Sequence, residues 1–172
     1  MKKIRLFLSS PSDVEEERKR VPAVVAEVNR MLGDRLGFHL DVLDWKTDVV
    51  GDMGRPQEVI NRQVRGYDIL VGIMWKRFGT PTGVAVSGTE EEFNIAYENW
   101  KVYGRPRILF YFSKASYRLK SDEELSQLSK VLSFKKKLWE KGLPHEYESP
   151  QEFADMPDRK GVSSLLFERK WT

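Results

Sequence analysis

Residues Tyr67-Asp68-Ile69-Leu70-Val71-Gly72-Ile73-Met74-Trp75 form an almost unbroken apolar run. A half-exposed strand alternates apolar and polar residues; a run without alternation reads as a strand covered on both faces. It therefore demands a sheet with a layer on each side. It is also far shorter than the ~20 residues that span a bilayer. The opening Met-Lys-Lys leads directly into strand-like sequence, with no signal-peptide block. No membrane segment and a cytoplasmic location are the expectations.

The flanking pattern supplies the layers. Ile4 to Leu8 reads as a strand, followed by Ser9-Ser10-Pro11. Ser12 and Glu15 have the spacing of a capping box, and Val14, Val21, Val25, Val28 and Leu32 recur at helical spacing towards Gly33. Pro22 is expected to kink or split that helix. A second strand is expected over Phe38 to Trp45, and a short helix around Val59, Ile60, Gln63 and Val64. After the central run come a Gly/Thr/Pro loop from Arg77 to Gly88, then a helix capped by Thr89. In that helix Phe93, Ala96, Trp100 and Tyr103 are expected to face the core. A strand over Arg107 to Phe112, a charged helix over Asp122 to Lys141 and a short strand over His145 to Tyr147 follow. Strand and helix alternating from a first strand predict a parallel sheet of four or five strands in a flavodoxin-like three-layer sandwich, order 2-1-3-4-5. Residues 1–148 are read as this α/β domain. Residues 149–172, with Pro150, Pro157, Gly161 and no firm periodicity before Leu165, are read as an accessory segment or the start of a linker.

Composition removes several chemistries. With no cysteine and only His39 and His145 among 172 residues, thiol catalysis, disulfides and a histidine-rich metal centre have no material, and no metal site is expected. Lys plus Arg number 29 against 26 acids. These charges interleave except at Lys135-Lys136-Lys137, which reads as the solvated face of a helix also carrying Leu132, Leu138 and Trp139. A nucleic-acid partner is not expected.

In doubly wound sheets, ligands bind beyond the carboxyl ends of the strands. That rule gathers Ser9, Ser10, Trp45, Met74 to Gly79 and Ser113 around one crevice. Three elements there carry candidate chemistry. Glu90-Glu91-Glu92 opens a helix, where Thr89 and Glu92 can form a capping box and acids suit the helix dipole. Of the three, Glu92 heads the buried stripe through Ala96, whereas Glu90 and Glu91 are expected on more exposed faces. Ser9 and Ser10, before a helix N-terminus, can hold phosphate or simply turn the chain. Trp75, Arg77, Phe78 and Gly79 can stack a base and contact phosphate, or pack a plain loop; Trp45 can stack a ligand or pack the rim. There is no Gly-x-Gly-x-x-Gly and no Gly-Lys-Thr.

The string Ile4-Arg5-Leu6-Phe7-Leu8-Ser9-Ser10-Pro11-Ser12-Asp13-Val14, with Glu17-Arg18, resembles the start of an uncharacterised TIR-like (Toll/interleukin-1-receptor-like) family. Tyr67-Asp68-Ile69 through Gly79-Thr80-Pro81 to Gly88-Thr89-Glu90-Glu91-Glu92-Phe93 is similar to it too. The resemblance covers roughly residues 3–115. It implies a domain that precedes nucleotide-binding or repeat sensor domains in bacterial defence or signalling proteins, and that self-associates. Gly88-Thr89-x-x-Glu92-x-x-x-Ala96 also resembles the nucleophile motif of nucleoside 2-deoxyribosyltransferases, although Val86-Ser87 stands where those enzymes carry an aspartate. Both resemblances carry over to Glu92 alone, as the catalytic residue; Thr89 is also expected as a ligand contact. They imply hydrolysis of the N-glycosidic bond of NAD or a related nucleotide, NAD being the substrate and no cofactor being needed. The alternative is a non-catalytic module that signals by self-association.

Overall fold

The structure, a computed structural model, describes residues 1–43, 66–83, 85 and 87–159. Trp45, the helix expected around Val59 to Val64, and the apolar stretch from Leu165 lie outside the described residues.

Five parallel strands form one sheet in the order β2-β1-β3-β4-β5: β1 Lys2–Ser9, β2 Phe38–Leu43, β3 Ile69–Met74, β4 Arg107–Ser113 and β5 Pro144–Tyr147. The four long helices are α1 Glu15–Val28, α2 Gly88–Tyr103, α3 Asp122–Trp139 and α4 Pro150–Arg159. This is the expected flavodoxin-like sandwich. The apolar run is its middle strand, with all six β3 residues buried between β1 and β4.

Strand parity divides the core. Ile4, Leu6 and Leu8 of β1, Ile69, Val71 and Ile73 of β3, and Leu109 and Tyr111 of β4 pack with Val21, Val25 and Val28 of α1 and Phe153 of α4. Intervening residues face the other way. Phe7 and Leu70 meet Ala96 of α2, while Met74, Phe110 and Phe112 meet Phe93 of α2 and Val131, Phe134 and Leu138 of α3. Gly72 is required where Phe110 crosses β3, because a Cβ there would lie 2.2 Å from the ring.

Several local expectations are corrected. Helix α1 begins at Glu15 after Val14 with no side-chain cap, not in a Ser12–Glu15 box; the neighbouring Asp13 carboxylate accepts from the amides of Lys76 and Arg77, at 3.1 and 2.9 Å. Pro22 does not split α1. The helix leads into a π-turn, Asn29–Gly33, and a closing turn, Asp34–Leu36. The stop is not Gly33 but Gly37, whose φ of 73° is the left-handed geometry glycine tolerates. In α2 the cap is Ser87, whose Oγ accepts from the Glu90 amide at 3.1 Å; Thr89 lies inside the helix. Trp100 and Tyr103 are exposed rather than in the core, and so are Leu132 and Trp139 of α3. Lys136 and Lys137 are solvated as expected, whereas Lys135 pairs with Glu146. The stretch after Ser149 contains a helix, α4, whose Phe153 packs edge-on against Tyr111 at 5.3 Å.

Candidate functional site

Ser9 is the last residue of β1 and shares the parity of Phe7, so its side chain emerges on the α2 side of the sheet. There its hydroxyl donates to Glu92 Oε2, and both residues are buried. Glu92 is held in place from two directions: Ser87 fixes the start of α2, and Ala96, one turn on, packs on Phe7 and Leu70. The carboxylate thus sits on the sheet's α2 face, beside the carboxyl end of β1.

Beside it runs a cleft of about 510 Å³. Glu92, Ile95, Asn99 and Tyr103 form its wall along α2, a single helical stripe at spacings of three and four. Phe7 lines it from β1, Tyr67 and Asp68 from the segment entering β3, and Arg105 and Pro106 close its far end. The cleft thus runs from Glu92 towards the amino ends of β3 and β4 and not beyond the carboxyl ends, where the crevice was expected. Tyr67 leans on Phe7 with ring centroids 5.3 Å apart. Burial first, and the Glu92 charge second, push the Tyr67 phenol far above its ordinary range. Tyr67 therefore stays protonated beside the carboxylate, a hydrogen-bond donor at any physiological pH. Asp68 is anchored by accepting from the Arg5 amide at 2.9 Å.

Other residues expected at one crevice are separated by the sheet. Ser10 has the opposite parity and accepts from Arg18 of α1, deep in the other layer. That layer holds a second polar cluster: Tyr147 donates to Glu17 at 2.9 Å, and Ser113 bonds to Tyr147. Burial and the Glu17 charge drive the Tyr147 phenol well up. Trp75 also lies on this side, packed against the α1-side core. Its indole donates to the Ala115 carbonyl at 3.0 Å, and Lys76 stands 4.6 Å above its ring.

The loop from Lys76 to Gly79 is not a free phosphate cradle. Asp13 takes the amides of Lys76 and Arg77, and Gln127 of α3 takes those of Phe78 and Gly79 at 2.8 and 3.0 Å. Phe78 itself is buried against Phe134 and has no open face for a base. The Arg77 side chain is exposed, and Thr89 is buried inside α2. Glu91, expected to be exposed, is as buried as Glu92, while Glu90 faces a groove beside α3.

Of the expected residues, Glu92 and Ser9 come together. The sequence reading missed Tyr67, Asn99, Tyr103 and Arg105 as cleft residues. A helical stripe extended from Glu92 finds Asn99 and Tyr103; no local signal points to Arg105, which follows α2 across a loop. Among the described residues no group of three or more histidines or carboxylates could hold a metal ion. No described helix is long and apolar enough to cross a membrane.

A domain family described as "Domain of unknown function (DUF4062)" matches residues 5–158. No curated protein matches the chain.

Proposed function

The chain belongs to the DUF4062 family of domains of unknown function, and we propose that it hydrolyses the N-glycosidic bond of NAD or a related nucleotide, with Glu92 as the catalytic carboxylate. The observation that carries the reading is the buried Glu92 carboxylate, hydrogen-bonded to Ser9 on the wall of a cleft that also contains Tyr67. The TIR-like and deoxyribosyltransferase-like strings around Ser9 and Glu92 support the same assignment. They also suggest a domain activated by self-association in a cytoplasmic defence or signalling protein, with further sensor domains beside it.

The chemistry is economical. Cleavage of the C1′–N bond passes through an oxocarbenium-like state, which one adjacent carboxylate stabilises or traps. For NAD the electron pair of the broken bond returns to the nicotinamide ring, which leaves neutral. Water then supplies hydroxide to C1′ and a proton to the medium, giving ADP-ribose. Ser9 is a positioning residue that orients the carboxylate. Tyr67 keeps its proton and offers a donor to the ribose hydroxyls.

The test is nicotinamide release from NAD by the forced-oligomeric domain. Glu92→Gln should lower turnover by several orders of magnitude, each ~1.4 kcal/mol being tenfold, and leave the fold intact. Full activity in Glu92→Gln, or an assembled wild-type domain that cleaves no nucleotide, defeats the reading.

A second reading, a non-catalytic self-association module, has its own observation. Trp100, Val102 and Tyr103 at the end of α2, and Trp139 at the end of α3, are large apolar residues left 45–72% exposed. Sedimentation of the inactive wild type as an oligomer, dispersed by Trp100→Glu, would favour it.

A further inference from the structure

On the opposite flank of α2 lies a second cavity, of about 490 Å³, at the amino-terminal ends of β4 and β5. An aromatic ladder leads to it. Phe93 in the core stacks on Tyr97 at 5.7 Å, and Tyr97 stacks on Trp100 at 5.6 Å with the planes only 25° apart. Phe93 is 1% exposed and Trp100 is 45% exposed, so the ladder climbs out of the core and ends on a half-open indole lining the cavity. A ladder of parallel rings ending at a cavity wall offers a surface on which one more planar ring can stack.

A cation stands beside the ladder. Lys141, just beyond α3, places its ammonium 4.7 Å from the Tyr97 centroid, and it has no carboxylate partner among the described residues. Arg107, at the start of β4, also lines the cavity, but it shares the parity of Leu109 and Tyr111 and so leaves the sheet on the α1 side. The acid on this lining is the exposed Glu140. His145, stacked on Tyr111 at 5.4 Å, reaches the cavity from the α1 side of the sheet. Burial lowers its proton affinity, so at neutral pH it is an uncharged imidazole able to donate and to accept.

We propose that this cavity binds a nucleoside phosphate, with the base stacked on Trp100 and the phosphate held by Lys141. The volume lies within the range of small-ligand pockets. A stacking ring beside a cation is the combination that holds a planar anion. The site is independent of Glu92, which lies on another stripe of α2, so it would serve as a separate ligand site rather than as part of the cleft.

The test titrates the isotopically labelled full chain with AMP, which has no nicotinamide bond to cleave, so the outcome does not depend on any glycohydrolase activity. Saturable shifts are expected at the Trp100 indole and at the amides of Lys141, Gly142 and His145. Trp100→Leu and Lys141→Gln should each weaken AMP about tenfold, ~1.4 kcal/mol, whereas Lys137→Gln should leave it unchanged. Lys141 is exposed, so its variant keeps the test valid should Trp100→Leu fail to fold. Ribose 5-phosphate binding as tightly as AMP would remove the stacking half of the proposal. Shifts confined to the Glu92 cleft, no saturation, or AMP binding indifferent to Lys141→Gln would overturn it.

Discussion

Asp13 shows how much a single side chain can be asked to do. One carboxylate oxygen accepts from the amides of Lys76 and Arg77, while the other is buried with no hydrogen-bond partner. Burial therefore outweighs the two amides and raises its pKa above 3.8. The sign follows from proton binding: between the unfolded and the raised folded pKa the native state holds more protons, so stability falls as pH rises through that window. Asp13→Asn should flatten this acid-range slope in urea unfolding curves measured from pH 3 upwards, as ~3.9 is the ordinary aspartate value. Asp13→Ala should cost about 1 kcal/mol, since two loop amides lose their acceptor. At the cleft, Ser9→Ala should lower kcat for NAD cleavage by about tenfold with little change in KM, as expected when an orienting bond to the carboxylate is lost. An unchanged kcat would leave Ser9 with a packing role alone.

At the level of elements, α4 and the β3–β4 crossing decide stability. Phe153 inserts from α4 between Tyr111 and Tyr147, with centroids 5.3 and 5.2 Å away. Phe153→Ala should destabilise the domain by about 3 kcal/mol, the ordinary cost of emptying a phenylalanine site. A denaturation midpoint left unchanged would mean that α4 stands outside the cooperative unit. Proline and glycine content hid this helix in the sequence: Pro150 occupies the first turn, where proline is tolerated, so it starts an element instead of ending one. In the sheet, Gly72→Ala should cost about 1–3 kcal/mol by overpacking against Phe110. The double variant Gly72→Ala/Phe110→Leu should recover part of it, and additive losses would show that the clash is not the cause. The apolar run marked β3 as doubly covered, but it carried no sign of which ring lies over its glycine.

For the molecule as a whole, both helical layers share one sheet, so far-ultraviolet and tyrosine/tryptophan near-ultraviolet signals should lose structure in a single coincident transition. Two separated transitions would mean that the α1–α4 and α2–α3 layers come apart independently. The sequence by itself determined the sheet, its parallel sense and the strand order. Those features follow from local periodicity and from connection rules that depend only on chain order. Strand parity even held the divergence of Ser9 and Ser10, because adjacent side chains at a strand end point to opposite faces. The tertiary structure alone decided which groups meet. The donation from Ser9 to Glu92 joins residues 83 positions apart, Gln127 takes up the loop amides that could have met phosphate, and Arg105 closes a cleft begun by Glu92. Periodicity fixes the face a side chain occupies, but which distant face is brought against it depends on how the helices pack across the sheet.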